Sequence, residues 1–235
     1  MKKLLCSMLM LSVCTLAPHR AETQTTTWQA KPKNNDAGKT LVVTGGHDHD
    51  ADFYTVFADD RIRALVDPHP NAMRGDIRKR ADVLVLYDMV RQMMQQQEQH
   101  LREFAESGKG IVVLHHGICA RVDWPWWYEE LVGGRWLFEP ANGMPVSTYQ
   151  HDEEIDVKIA SNHPITRGLK DFRIHDETYK GLWISPKIKP LLTTDHPRSD
   201  KTIAWIGPYE KARVVYIQLA IPVHPMKRHE GTRNA

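Results

Sequence analysis

Cysteine is scarce in this chain: three among 235 residues, with Cys6 and Cys14 both inside the first fourteen positions. Past that leader only Cys119 remains, so the body of the protein has no second thiol for an intrachain disulfide. Excess charge of either sign is missing too. Lys and Arg number 31 against 29 Asp and Glu, and Lys2, Lys3 and Arg20 are the only charged residues of 1–21. Without them 28 basic residues face 29 acids, a net charge of −1. Such a surface offers no basic footprint, so nucleic acid is not an expected partner. After the leader no apolar run is long enough to span a membrane, and no internal repeat is visible. Gly45-Gly46 lacks the third glycine of a dinucleotide-binding turn, and no His-Glu-x-x-His pair occurs.

The leader has its own pattern. Lys2-Lys3 followed by an apolar stretch over 4–17 has the plan of a secretory signal peptide. Residues 1–21 are expected to be that signal, and 22–38, polar and carrying Thr25-Thr26-Thr27, a linker. Residues 39–235 have the length of one domain with a full core. In Leu11-Ser12-Val13-Cys14, Val13 stands where a lipoprotein box has a small residue. Soluble export, periplasmic or extracellular, is favoured over lipid anchoring at Cys14.

Continuous apolar runs at 41–44, 83–87 and 111–114 read as buried strands. Helical spacing between them, over 53–65 and again over 90–105 with Gly108 as a stop, predicts crossover helices. The alternation favours a parallel sheet. Strand candidates at 154–159, 190–194, 202–206 and 213–219 follow with short connections, as antiparallel additions. The fold class expected is α/β, a sandwich with a mainly parallel central sheet.

Two of the apolar strands end in imidazoles, at Gly45-Gly46-His47-Asp48-His49 and at His115-His116-Gly117. The carboxyl ends of parallel strands are where open α/β sheets bind ligands, and imidazole suits both proton transfer and metal ligation. His47 and His49, two apart, face one way if the chain stays extended; surface loop histidines are the plainer reading. Of His115 and His116, one turns to the crevice and the other packs, unless both simply close a tight turn. Cys119 lies past the strand end without the glycine scheme of a nucleophile elbow; a small buried thiol is the better reading. His175-Asp176-Glu177-Thr178-Tyr179-Lys180 gathers groups fit for acid–base work or for local salt bridges in a solvated turn. Trp124-Pro125-Trp126-Trp127-Tyr128 supplies indoles for packing or for stacking on a sugar ring.

In order, Val42-Val43-Thr44-Gly45-Gly46-His47-Asp48, Leu86-Tyr87-Asp88-Met89, Val112-Val113-Leu114-His115-His116-Gly117, Asp123-Trp124, His163-Pro164-Ile165, Asp176-Glu177-Thr178-Tyr179-Lys180 and Tyr216-Ile217-Gln218-Leu219 resemble the ThuA-like, trehalose-utilisation family. The resemblance implies a flavodoxin-like three-layer sandwich, a variant of the class I glutamine amidotransferase domain. It also implies a link to sugars, as keto-sugars or glycosides. Amidotransferases place a cysteine after the strand equivalent to 111–114; histidines stand there here, so glutaminase chemistry is not expected. The family usually follows the last strand with Gly-His-Asp and a closing helix. Here Ala220-Ile221-Pro222-Val223-His224 follows Leu219, so the domain is expected to lack that helix. The leading expectation is an exported enzyme acting on a small carbohydrate, with a non-catalytic carbohydrate-binding or scaffold protein as the alternative. His47, His116 and Glu177 are the candidate catalytic residues. Asp88, His115, Trp124, Asp176, Tyr179 and Gln218 are the candidates for holding substrate. A divalent metal such as zinc remains an option through His47, His49 and His116.

Overall fold

Three of the apolar runs become neighbouring strands: β1 (Gly38–Gly45), β3 (Val83–Asp88) and β4 (Gly110–Leu114). The computed structural model describes residues 38–49, 51–59 and 61–220. The expected signal, most of the linker and the tail carrying His224 lie outside these residues. Along each strand side chains alternate between faces. Leu41, Val43, Leu84, Leu86, Ile111 and Val113 enter one core, and Val42, Val85, Val112 and Leu114 the other.

The remaining strands are β2 (Ile62–Val66), β5 (Gly134–Arg135), β6 (Thr148–Ile159), β7 (Phe172–Lys180), β8 (Trp183–Ile184), β9 (Lys189–Thr193), β10 (Thr202–Ile206) and β11 (Arg213–Ile217). Nine strands form one sheet in the order β2-β1-β3-β4-β11-β10-β9-β6-β7. From β2 to β11 neighbours are parallel; from β11 to β7 they are antiparallel. A parallel core with antiparallel additions is as the sequence predicts, except that β11, expected among the additions, runs parallel beside β4 and belongs to the core.

Helical cover is thinner than a flavodoxin-like sandwich has. Helix α1 (Gln95–Glu106) packs Leu101, Phe104 and Ala105 into the first core. It is joined there by the π-helical segment Trp126–Val132. Gln97 turns inward and its side-chain oxygen accepts from the Met94 amide at 3.0 Å. The predicted helix over 53–65 is replaced by a 3-10 segment, Ala51–Phe57, and then by β2. Phe53, Val56 and Phe57 fill only one helical turn of the pattern. The β-branched and apolar residues after it pair with β1 instead. No helix among the described residues is long and apolar enough to cross a membrane.

Candidate active site

β1 lies between β2 and β3, so strand order reverses there, the position at which open α/β sheets bind ligands at their carboxyl ends. Gly45, Asp88 and the residues just after β4 and β11 all come to this edge. Two glycines let the turns close on one another. Gly46 has φ +77°, and a Cβ on it would lie 2.9 Å from the Met89 carbonyl. A Cβ on Gly117 would lie 2.9 Å from the Leu86 carbonyl oxygen. Gly117→Ala is therefore expected to lift the turn after β4 from β3, costing about 1–3 kcal/mol. Urea denaturation reads this directly, and a midpoint equal to that of the parent protein would show that the turn gives way freely.

His115 is the first residue of that turn. Its φ of +48° is left-handed backbone, costly for a residue with a Cβ and kept only where surroundings enforce it. Nδ1 lies 2.7 Å from the Gln218 carbonyl, and the Tyr216 hydroxyl donates to the His115 carbonyl at 3.3 Å. Nε2 faces Glu177 Oε2 at 3.0 Å and the Tyr179 hydroxyl at 3.0 Å. Burial alone would depress this imidazole. The Glu177 hydrogen bond, the Asp176 and Glu177 charges and the Gln218 carbonyl outweigh it, and the pKa is raised. For Glu177, burial pushes up, but the bond and charge of His115, the Tyr179 hydroxyl and His151 bring the pKa below its ordinary value. Each partner thus favours the charged form of the other, across a 3.0 Å contact.

The β6–β7 hairpin presents that carboxylate through a bulge. Gln150 pairs with Thr178 and Glu153 with Asp176, leaving His151 and Asp152 opposite Glu177 alone. Asp152 takes φ +58°. An extra residue of this kind re-aims a side chain, and His151 Nδ1 reaches Glu177 Oε1 at 2.8 Å. Thr178 Oγ1 and both side-chain amide atoms of Gln218, in the segments that carry Glu177 and the Gln218 carbonyl, are buried without a hydrogen-bond partner among the described residues. Buried polar groups without partners are rare.

Burial raises the Asp176 pKa to about 7, against partial relief from His115 and the Glu177 amide. The folded protein therefore keeps a proton that the unfolded chain loses near pH 4. Between pH 4 and 7 the folded state binds more protons, so this group's contribution to stability falls as pH rises, then levels. Asp176→Asn removes the effect. The stability of the variant relative to the parent is expected to grow by on the order of 4 kcal/mol across that window. Melting curves at pH 4 and pH 8 test this; a constant difference between the two proteins would mean that Asp176 ionises normally.

The other candidates are dispersed. His116 stacks on His47, centroids 4.3 Å apart, and meets Tyr87 at a tilt, centroids 4.2 Å apart. Burial first, then the neighbouring imidazoles of His115 and His47, depress His116 to about 2. It is too weak a base to carry a proton at neutral pH, and His115 rather than His116 meets Glu177. Asp88 is fully buried in a two-pronged pair with Arg121, at 3.2 and 2.6 Å. Trp124 packs against Trp126 and the Arg102 guanidinium, not against the histidines. Cys119 is buried, as expected, and burial lifts its thiol to about 12.

For zinc, His47, His49 and His116 do not converge. Two of the rings lie face to face, and His49 Nε2 lies 2.7 Å from the Tyr54 hydroxyl. Among the described residues no three His, Cys, Asp or Glu groups gather as a metal site. The residues as arranged do not fit that ion.

Sequence reasoning missed His151 and Arg121. Nothing local marks a bulge in an alternating strand, and Arg121 is identified only by the buried carboxylate it meets.

Fold and site together define an α/β protein with a buried histidine–carboxylate pair at the edge where parallel and antiparallel strands meet. The family model for ThuA, trehalose utilisation, matches residues 23–220, and the chain belongs to that family. Solved ThuA-like proteins share the fold. One from Parabacteroides merdae is 16% identical, with a TM-score of 0.60 over 77% of this chain and 78% of that one. One from Bacteroides uniformis is 16% identical, with a TM-score of 0.59 over 82% and 86%. A β-galactosidase from Rahnella sp. R3 is 12% identical, with a TM-score of 0.50 over 77% of this chain but only 28% of its own. At these identities the likeness is one of fold. No curated protein matches the sequence.

Proposed function

We propose that the protein is an exported enzyme acting on a sugar derivative, a keto-sugar or glycoside, by histidine–carboxylate acid–base chemistry. The observation that carries this reading is the His115–Glu177 ion pair set against unpartnered buried polar atoms. Glu177 has a lowered pKa and a side chain that is not fully buried, so it serves as the base, taking a proton from the substrate. The His115 imidazolium, locked by the Gln218 carbonyl, holds Glu177 in place and offsets charge that develops beside it. Two carboxyl groups with pKa values pushed apart, Glu177 down and Asp176 up, match the division between base and acid. The Gln218 amide and Thr178 hydroxyl supply the donors and acceptors that hydroxyl groups need. The membership of the chain in a trehalose-utilisation family supports the substrate class, and the leader at 1–21 supports export.

A panel of keto-sugars and glycosides, followed by NMR in heavy water, tests the reaction. Proton abstraction shows as deuterium entering the substrate, and bond cleavage as new anomeric signals. Sugar binding without either change would make this a carbohydrate-binding protein on an enzyme fold.

A further inference from the structure

Among the described residues the exposed large aromatic side chains lie not in the Trp124 cluster but beside Glu177. Tyr149, on β6 and directly opposite Tyr179, is 51% exposed, and Phe138 is 39% exposed. Trp136 lies between them, its ring 6.4 Å from Phe138 and 6.3 Å from Tyr149, and meets Tyr179 edge-on at 5.3 Å. Tyr149 in turn contacts His151 at 5.1 Å, and His151 bonds Glu177. The aromatic surface is thus continuous, ring by ring, with the reacting pair.

The platform is held firmly. The Ser147 hydroxyl accepts from the Leu137 amide at 2.9 Å and donates to the Gly181 carbonyl at 2.8 Å. The Ser147 amide donates back to the Leu137 carbonyl at 2.8 Å. These bonds tie residues 136–138 to the start of β6, so the rings are presented by fixed backbone. Polar groups border it: the Arg91 guanidinium lies 4.3 Å over the Phe138 ring, and His151 is 59% exposed.

Large exposed rings with a rigid base and polar edges suit a ligand that has apolar faces and a hydroxylated rim. We infer that Tyr149 and Phe138 form a second sugar subsite, where the neighbouring ring of a disaccharide or larger glycoside stacks while its first ring meets Glu177. The inference rests on the sugar reading above and narrows it: the substrate has at least two rings, and the enzyme meets them on different strands. Arg91 and His151 donate to hydroxyls on the rim of the outer ring.

Calorimetric titration of the full chain with trehalose, maltose and methyl glucoside tests this, on the parent and on the double variant Tyr149→Ala/Phe138→Ala. Unchanged melting curves establish that the variant is folded. The parent is expected to bind at least one disaccharide about tenfold tighter than methyl glucoside, and the double variant to lose that preference. Equal affinity for one ring and two, no binding of any of the three sugars, or a preference that survives the double substitution overturns the inference. Glu177→Gln keeps the two questions apart, because it is expected to retain the disaccharide preference while losing turnover. If the parent turns over no sugar yet shows the ring-dependent preference, the subsite stands and the catalytic reading falls.

Discussion

Glu177→Gln is expected to lower turnover of a sugar substrate by roughly 10²–10⁴-fold, the range for removing a positioned acid–base group. The amide keeps the size of the side chain and its place opposite the bulge at His151 and Asp152, but it cannot accept a proton from substrate. It also leaves His115 without its anion. The imidazole, raised now by the Glu177 bond and by the Asp176 and Glu177 charges, should lose much of that elevation. NMR titration of the His115 ring reads the downward shift, and progress curves read the loss of rate. Turnover within about threefold of the parent would remove Glu177 from the role of base.

The second large effect concerns stability. Arg121 and Asp88 are 1% and 0% exposed, so their charges have only each other, and the guanidinium also lies 4.8 Å over the Trp127 ring. Arg121→Met abandons a fully desolvated carboxylate, at an expected cost of about 3–5 kcal/mol. For a domain of this size that corresponds to a melting temperature lower by roughly 6–20 °C. Replacing both members, Asp88→Leu with Arg121→Met, is expected to cost less than Arg121→Met alone, because no unpaired charge remains. A single variant melting within about 2 °C of the parent would mean that Asp88 finds another partner or takes up a proton. The pair also explains why Asp88, which stands at a strand end as a ligand residue would, is turned into the interior and held by Arg121.

Much of this architecture is legible in the residues themselves. The runs at 83–87 and 111–114 are apolar on both faces because helices or loops cover both faces, and such runs identify central parallel strands. β2 is hidden because it is an edge strand with exposed Arg63 and Leu65, so its pattern lacks the apolar continuity of its neighbours. β7 is hidden for a different reason. His175-Asp176-Glu177 is too polar to read as a strand, yet it is paired along its length with β6. Departures of this kind from the local pattern are expected at functional positions.

The site was legible as a set of residues but not as a geometry. His115, Asp176, Glu177, Tyr179 and Gln218 are all in its sequence motifs, and the structure brings them together. Which of two adjacent histidines turns toward Glu177 depends on a left-handed φ at His115, and no spacing rule encodes that. His151 enters through a one-residue bulge, invisible until the register with β7 is known. The choice between indoles fails for a similar reason: Trp124 is turned toward α1 by its own turn, whereas Trp136 and Tyr149 meet only once residues 136–138 lie along β6.

The hairpin of β6 and β7 shares only two ladder pairs with the rest of the sheet, Lys158 with Thr193 and Ile159 with Leu192. Further bonds outside the ladder run from the Asp200 amide to the Tyr179 carbonyl at 2.8 Å and from the Thr194 hydroxyl to the Asp156 carbonyl at 2.9 Å. The imidazole belongs to the parallel half of the molecule and the carboxylates to this arm. The contacts of His115 with Glu177 and with Tyr179 therefore bridge two parts of the sheet, so the groups assigned to proton transfer add to the fastening that keeps the site assembled.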